Sequence, residues 1–181
     1  MIYFNLRKGD NMNKNDYEII DNFLEVDDFY RIKDTLMGPY FDWYFNDSVV
    51  EDEKENKANQ YQFIHSFYRE HRPISTFFDV LEPVISKINP VALLRIKANL
   101  NPRTESNFEH GYHVDYENSV SNQKTGVFYL NTNNGFTKFE DGTKVESVEN
   151  RFVSFNTSMK HTGSTCTNEN ARVLINFNYI V

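Results

Sequence analysis

Hydrophobic positions in this chain change their period near its middle. From Glu25 to Met37, the apolar residues Val26, Phe29, Ile32, Leu36 and Met37 recur at helical spacing, and Gly38-Pro39 then stops the helix. Pro73 to Ile88 predicts a second helix, with Phe77, Phe78, Leu81, Val84, Ile85 and Ile88 as its apolar face and Pro73 near its start. Tyr17 to Phe23 reads as a short strand leading into the first helix, and the aromatic run Phe41 to Val50 as another strand. From Val91 onward the period falls to two. Val91 to Leu100, Tyr112 to Tyr116, Gly126 to Asn131, Phe136 to Glu140, Arg151 to Asn156 and Arg172 to Val181 all predict strands. Asn134-Gly135 and Asp141-Gly142 supply turn signals between them. Helices first and short strands afterwards predict a mainly β protein with flanking helices, a sandwich or barrel with the N-terminal helices packed outside. One domain is expected over 1–181, with 1–90 a mostly helical support region and 91–181 the β core.

Composition sharpens this picture only slightly. Sixteen Phe and eleven Tyr provide large buried areas that favour strands. A net charge of −7 gives no broad basic field, which makes nucleic acid an unlikely partner. Cys166, a single thiol, excludes an internal disulfide framework and suits a reducing compartment, so the expected location is cytoplasmic. No apolar run is long enough to span a bilayer, so no membrane partner is expected. The mildly apolar Met1 to Leu6 is too short for a signal peptide, and Met12 is an alternative start. Glu51 to Asn59 is highly charged without an apolar period and reads as a solvated loop, with a lid as the less favoured alternative.

Chemistry concentrates at His113-Val114-Asp115. On a strand, residues i and i+2 share a face, so an imidazole and a carboxylate would converge. His161, after the hydrophobic strand Phe152 to Phe155, would complete two histidines and one carboxylate. That donor set is the facial triad of non-haem Fe(II) oxygenases, which leaves positions open for other ligands. An isolated H-x-D triplet is weak evidence by itself, and a packing role is the bland alternative for each of the five histidines. Tyr129 on an intervening strand and Arg172 at the start of the last one complete an ordered set. Catalytic zinc hydrolases also use two histidines and a carboxylate, but often on an H-E-x-x-H helix that this chain lacks. Neither a G-x-S-x-G elbow nor a nucleotide-binding glycine motif occurs.

In order and spacing, His113-x-Asp115, Tyr129, His161 and Arg172 resemble the 2-oxoglutarate/Fe(II)-dependent dioxygenases. The likeness is closest to the prolyl-hydroxylase-like branch, with Val127-Phe128-Tyr129-Leu130-Asn131 similar to its tyrosine-bearing strand. Asn134-Gly135-Phe136-Thr137-Lys138-Phe139 is similar to its glycine-rich hairpin, with one glycine where two are often seen. Arg95 to Leu100 and Ile175 to Tyr179 add a likeness to small bacteriophage oxygenases. The resemblance covers Val91 to Val181 well and the N-terminal half loosely. It implies a double-stranded β-helix, or jelly roll, that uses Fe(II), O₂ and 2-oxoglutarate as cosubstrate to hydroxylate a C–H bond.

By the same resemblance, His113, Asp115 and His161 would hold iron, Arg172 would pair with the distal carboxylate of 2-oxoglutarate, and Tyr129 would donate a hydrogen bond to it. A guanidinium suits that task because its planar fork matches a carboxylate. Asn99 shares a strand face with Arg95 and Lys97, so Asn99 or Lys97 would reach cosubstrate or substrate if that face looks inward, and solvent if it does not. Asn176 and Asn178 share a face with Arg172. Tyr112 and Tyr116 are expected to pack in the core, as are the rings of Trp43, Tyr44 and Phe45, which would alternatively wall a substrate site. The expected substrate is a peptide, a protein (prolyl) residue or an amino-acid side chain. Oxidative nucleic-acid dealkylation and a non-catalytic jelly-roll binding or structural protein are the alternatives.

Overall fold

The computed structural model describes residues 17–49, 60–116, 120 and 122–181. The solvated-loop reading of Glu51 to Asn59 and the choice between Met1 and Met12 lie outside these residues. In chain order the elements are β1 (Tyr17–Ile20), α1 (Val26–Leu36), β2 (Tyr44–Asn46), β3 (Gln62–Arg69), β4 (Arg72–Pro73), a 3-10 turn (Phe78–Leu81), α2 (Glu82–Ile88), β5 (Ala92–Pro102), β6 (Gln123–Tyr129), β7 (Phe136–Phe139), β8 (Lys144–Glu146), β9 (Arg151–Asn156), β10 (His161–Gly163) and β11 (Ala171–Ile180). They form two facing antiparallel sheets. The major one has the order β1-β9-β6-β11-β5-β3-β2, with β4 paired to β3, and the minor one the order β10-β7-β8. This is the jelly-roll arrangement expected, with helices on one outer face.

Side-chain alternation explains the layering. On β11, Val173, Ile175 and Phe177 point outward and join Ile96, Ala98 and Phe128 beneath Phe29, Ile32 and Leu36 of α1. Those three α1 residues lie on one helical stripe, and Asp27 and Asp28 sit at the helix's positive end. The opposite face of β11 carries Arg172, Leu174, Asn176 and Asn178. Its register sets these beside Asn101, Asn99, Lys97 and Arg95 of β5. Tyr129, Val127 and Thr125 of β6 flank the last three β11 positions on the other side. The floor between the sheets is therefore polar along β5 and β11, and apolar toward Val127, Phe139, Val153 and Phe155.

Four expectations change. Pro73 to Ile88 is not one helix: a 3-10 turn ends at Leu81 and α2 starts at Glu82, with Pro83 in its first turn. A proline lacks the N–H that a continuous helix would need there. The strand expected over Phe41 to Val50 shrinks to Tyr44–Asn46, where it pairs with β3. Tyr112 to Tyr116 is not a strand: His113 makes a single antiparallel bridge to His161 and the segment does not continue the ladder. Finally, β3 was missed, and the N-terminal half is less helical than its pattern suggests. Gln62, His65 and Ser66 interrupt the apolar alternation of β3 even though His65 is buried in the core, bonded to the Asp42 carbonyl and Ser75 Oγ at 2.7 Å each.

Close sheet-to-side-chain packing gives a stability test. A Cβ built on Gly126 of β6 would lie 2.3 Å from Cζ of Phe152, a ring stacked on Phe23 at 4.5 Å between centroids. Gly126→Ala is expected to destabilise the protein by about 1–3 kcal/mol through overpacking, read by urea denaturation. An unchanged midpoint would show that the Phe152 ring yields freely.

Candidate metal and anion site

Backbone pairing, rather than one strand face, brings the three metal-ligand candidates together. His113 N–H donates to the His161 carbonyl and His161 N–H to the His113 carbonyl, each at 3.0 Å. The two imidazoles then lie 4.6 Å apart between centroids. The ligand atoms of His113, Asp115 and His161 all fall within 4.8 Å of one another, which suits one metal ion. Each ring is oriented by its own backbone: Nδ1 of His113 faces the Gly111 carbonyl at 3.3 Å, and Nδ1 of His161 faces that of Met159 at 3.0 Å. With a proton on Nδ1 donated to these carbonyls, Nε2 presents its lone pair to the site. Burial also pulls the His161 imidazole below the ordinary histidine range, with His113 adding to this and Asp115 opposing it.

Asp115 is clamped as an anion. Arg95 donates to its Oδ1 at 2.8 Å; Thr125 Oγ1 and Asn178 Nδ2 donate to its Oδ2 at 2.7 and 2.9 Å. Burial raises the carboxyl's pKa, but Arg95, His161, Thr125 and Asn178 together outweigh it and hold the group well below the usual carboxylate range. Arg95 is itself steadied by Asn178 Oδ1 at 2.9 Å.

A second charged centre lies at the other end of the same face. Arg172 is 2 % exposed, and among the described residues it has no carboxylate partner. Its Nε donates to Ser147 Oγ at 2.7 Å, Nη2 to Thr137 Oγ1 at 3.1 Å and Nη1 to the Ser164 carbonyl at 3.4 Å. Three neutral acceptors orient a guanidinium without neutralising it, and buried charges ordinarily find a counter-charge. Two glycines make its room: a Cβ at Gly135 would lie 2.6 Å from Arg172 Cδ, and one at Gly163 would lie 3.2 Å from Nη1. Tyr129 is fully buried, and its hydroxyl donates to Thr137 Oγ1 at 2.8 Å. Since Thr137 Oγ1 accepts from both Tyr129 and Arg172, its own O–H remains to donate.

One cavity of about 660 Å³ joins both centres, within the common ~300–1,000 Å³ range of small-molecule sites. Its walls include the three metal-ligand candidates, Arg172, Thr137, Leu174, Val127, Asn99, Lys97 and His110. Among the described residues, Arg95, Lys97, Lys160 and Arg172 face it against one carboxylate, that of Asp115, so this part of the lining is cationic although the chain is acidic. Lys97 is drawn down to about 8, chiefly by burial and then by Arg95, with Asp115 opposing. Asn99 is 5 % exposed, and among the described residues its Oδ1 has no partner. The polar face of β5 therefore looks inward.

Among the sequence-based candidates, His113, Asp115, His161, Arg172 and Asn99 all line this cavity, whereas Tyr129 stands behind Thr137. Asn176 lines it too, and Asn178 instead braces Asp115. Tyr112, at 42 % exposure, is not a core residue, and neither are Tyr44 and Phe45, at 59 % and 64 %. Sequence reasoning passed over Thr125, Thr137 and His110; only their place on or beside the triad and tyrosine strands hinted at them.

Comparison with known proteins places the fold. No protein-family profile and no curated protein sequence matches the chain. Solved structures do. A prolyl hydroxylase from Trichoplax adhaerens, in complex with a hypoxia inducible factor oxygen degradation domain peptide fragment, superimposes with a TM-score of 0.67 at 14 % identity, over 93 % of this chain and 84 % of its own. A Pseudomonas putida prolyl-4-hydroxylase gives 0.59 at 13 % identity, over 93 % and 94 %. The non-heme alpha ketoglutarate dependent epimerase SnoN from nogalamycin biosynthesis gives 0.65 at 11 %, over 91 % and 78 %. The chain thus has the fold of the 2-oxoglutarate/Fe(II) oxygenases.

The buried histidines predict an acid-labile fold. His110 stays neutral when folded down to about 4, because burial, then the charges of Arg172 and His113, disfavour its proton; its ordinary value is 6.5. Between these values the unfolded chain binds the extra proton, so stability falls as pH falls, by up to about 3 kcal/mol. His161 acts in the same direction, whereas Asp115, with its lowered pKa, keeps its contribution until pH drops below about 4. Thermal melts of the metal-free protein from pH 7.5 to 4.5 are expected to show a falling midpoint, and His110→Gln a shallower fall. Parallel slopes would remove His110 as a source.

Proposed function

We propose that this protein is an Fe(II)- and 2-oxoglutarate-dependent dioxygenase that hydroxylates a C–H bond. One observation carries the reading: a single cavity holds three convergent metal donors at one end and an uncompensated buried guanidinium at the other. A metal with an attached dianionic keto-acid matches both ends at once. Arg172 gains the anion it lacks, and the triad gains the cation that its oriented nitrogens and clamped carboxylate face.

In this reading His113 and His161 offer Nε2, Asp115 contributes negative charge, and Arg95, Thr125 and Asn178 fix its carboxylate. Arg172 and the Thr137 hydroxyl hold the distal carboxylate, with Tyr129 orienting Thr137 rather than touching the ligand. Leu174 and Val127 present apolar walls to the carbon chain between the two ends and keep water from it. Bound ferrous iron, with 2-oxoglutarate and O₂, would supply the oxidising power for hydroxylation. The primary substrate in this reading is a peptide, a prolyl residue in a protein or an amino-acid side chain. The prolyl hydroxylases of the same fold, one of them holding a peptide fragment, support that choice. The cation-lined cavity is far too small a basic surface to favour a nucleic-acid duplex.

Succinate formation from 2-oxoglutarate with Fe(II), tested against a panel of peptides, free amino acids and nucleosides, examines this directly. Wild type is expected to turn over, and His113→Ala to lose at least about 100-fold, as a lost ligand leaves the metal poorly held. Equal turnover in both proteins would defeat the assignment.

A further inference from the structure

His110 is a buried polar group that neither the metal cluster nor the fold explains. It is 6 % exposed, and neither ring nitrogen has a hydrogen-bond partner among the described residues. Buried polar atoms are bonded in the great majority of cases, and one that is not calls for an explanation. Its position is fixed. His110 N–H donates to the Gly163 carbonyl at 3.0 Å, and its own carbonyl accepts from Thr162 Oγ1 at 2.6 Å. The ring rests edge-on against Phe108 at 5.5 Å between centroids. Nothing in the fold therefore calls for an imidazole where an aromatic or aliphatic side chain would pack.

The bridging ladder shows which end of the cavity His110 serves. His113 lies opposite His161 at the metal end, and His110 bonds to Gly163, two residues further along β10. At Gly163 a Cβ would stand 3.2 Å from Arg172 Nη1, so the residue whose carbonyl holds the His110 N–H also borders the guanidinium. Both His110 and Arg172 open into the same cavity.

We propose that His110 is a second recognition residue for the cosubstrate, donating an imidazole N–H to the carboxylate that Arg172 engages. This rests on the oxygenase reading and deepens it. Three of the five guanidinium N–H groups are directed at Ser147, Ser164 and Thr137, which leaves two for an incoming carboxylate. A carboxylate has about four acceptor sites. The remaining Arg172 donors, the Thr137 hydroxyl and His110 together fill them. His110 is neutral near pH 7, because burial and the adjacent Arg172 disfavour a second proton, so it brings a hydrogen bond without a further buried charge. A 2-oxo acid lacking the distal carboxylate would leave His110 as orphaned as it is now, so His110 would help select a diacid over a monoacid.

The test is binding, not turnover. Zn(II)-loaded protein is titrated calorimetrically with 2-oxoglutarate and, separately, with 2-oxobutyrate, in wild type, His110→Leu and His110→Gln. His110→Leu is expected to weaken 2-oxoglutarate by about tenfold or more, with Zn(II) and 2-oxobutyrate affinities unchanged, and His110→Gln to recover part of the loss by restoring a donor. In wild type labelled with ¹⁵N in its imidazoles, the His110 ring signals are expected to move when 2-oxoglutarate is added; this arm decides the matter should the leucine variant fail to fold. A leucine variant that binds 2-oxoglutarate within twofold of wild type, or ring signals that stay in place while wild type binds, overturns the role of His110 and leaves the oxygenase reading standing. Wild type that binds no 2-oxoglutarate overturns both.

Discussion

One strand ties the two ends of the site together. β11 runs between β5 and β6 with an unbroken register from Ala171 to Asn178, so Arg172, Leu174, Asn176 and Asn178 share its inner face. Asn178 braces the Asp115 carboxylate; Arg172 supplies the buried cation. Six residues separate them, about 20 Å of strand, and that rigid interval fixes the two charged groups relative to each other. A register slip of one residue would turn every one of these side chains toward the helices. Outward Val173, Ile175 and Phe177, packed under α1, make that slip costly. The hydrophobic core and the polar site are thus two faces of one constraint.

Electrostatics follows from this arrangement. Within a chain of net charge −7, the described lining of the cavity gathers Arg95, Lys97, Lys160 and Arg172 around one acid. The two arginines play opposite parts. Arg95 is matched, since Asp115 and Asn178 take its donors. Arg172 is surrounded by hydroxyls and a carbonyl, which orient it but leave its charge for something else. A protein gains no stability from burying an unmatched guanidinium; the arrangement is intelligible as a binding site held ready for an anion.

Much of this was legible in the sequence, for identifiable reasons. The period change at Val91 announced the β half, and β9 and β11 fell almost where expected, because Phe152, Val153 and Phe155 on one and Val173, Ile175 and Phe177 on the other mark them. The convergence of His113, Asp115 and His161 was expected as well, but for a partly wrong reason. His113 and Asp115 converge through a loop stitched to β10 and the following Ser164 by isolated bridges at Glu109 and His113, not through strand alternation. What escaped notice was the set of residues whose roles are defined by a partner far away in sequence. β3 hides behind Gln62, His65 and Ser66; Thr125 becomes significant only when Asp115 folds over it; Thr137 matters because Tyr129 and Arg172 both point at it. Short polar side chains carry little periodic signal, and their function resides in tertiary geometry.

Specificity must come from surfaces other than those that define the fold. Structures that superimpose on this chain include hydroxylases and an epimerase, so the shared fold does not by itself select a reaction or a substrate. Away from the triad and Arg172, the cavity wall continues as a strip from Lys97 through Asn99 and Asn101 to Gln62 and Asn46, across β5, β3 and β2. It is rich in amides and carries one amine, Lys97, with no ion-pair partner among the described residues. Amide-rich walls read hydrogen bonds, and a site built on buried polar groups rejects an analogue that leaves them unpaired more strongly than an apolar pocket rejects a missing methylene. Under the proposed reading, fold and donor set limit the chemistry, and the short polar side chains on the β5–β3–β2 edge are the part of the wall left to choose a substrate.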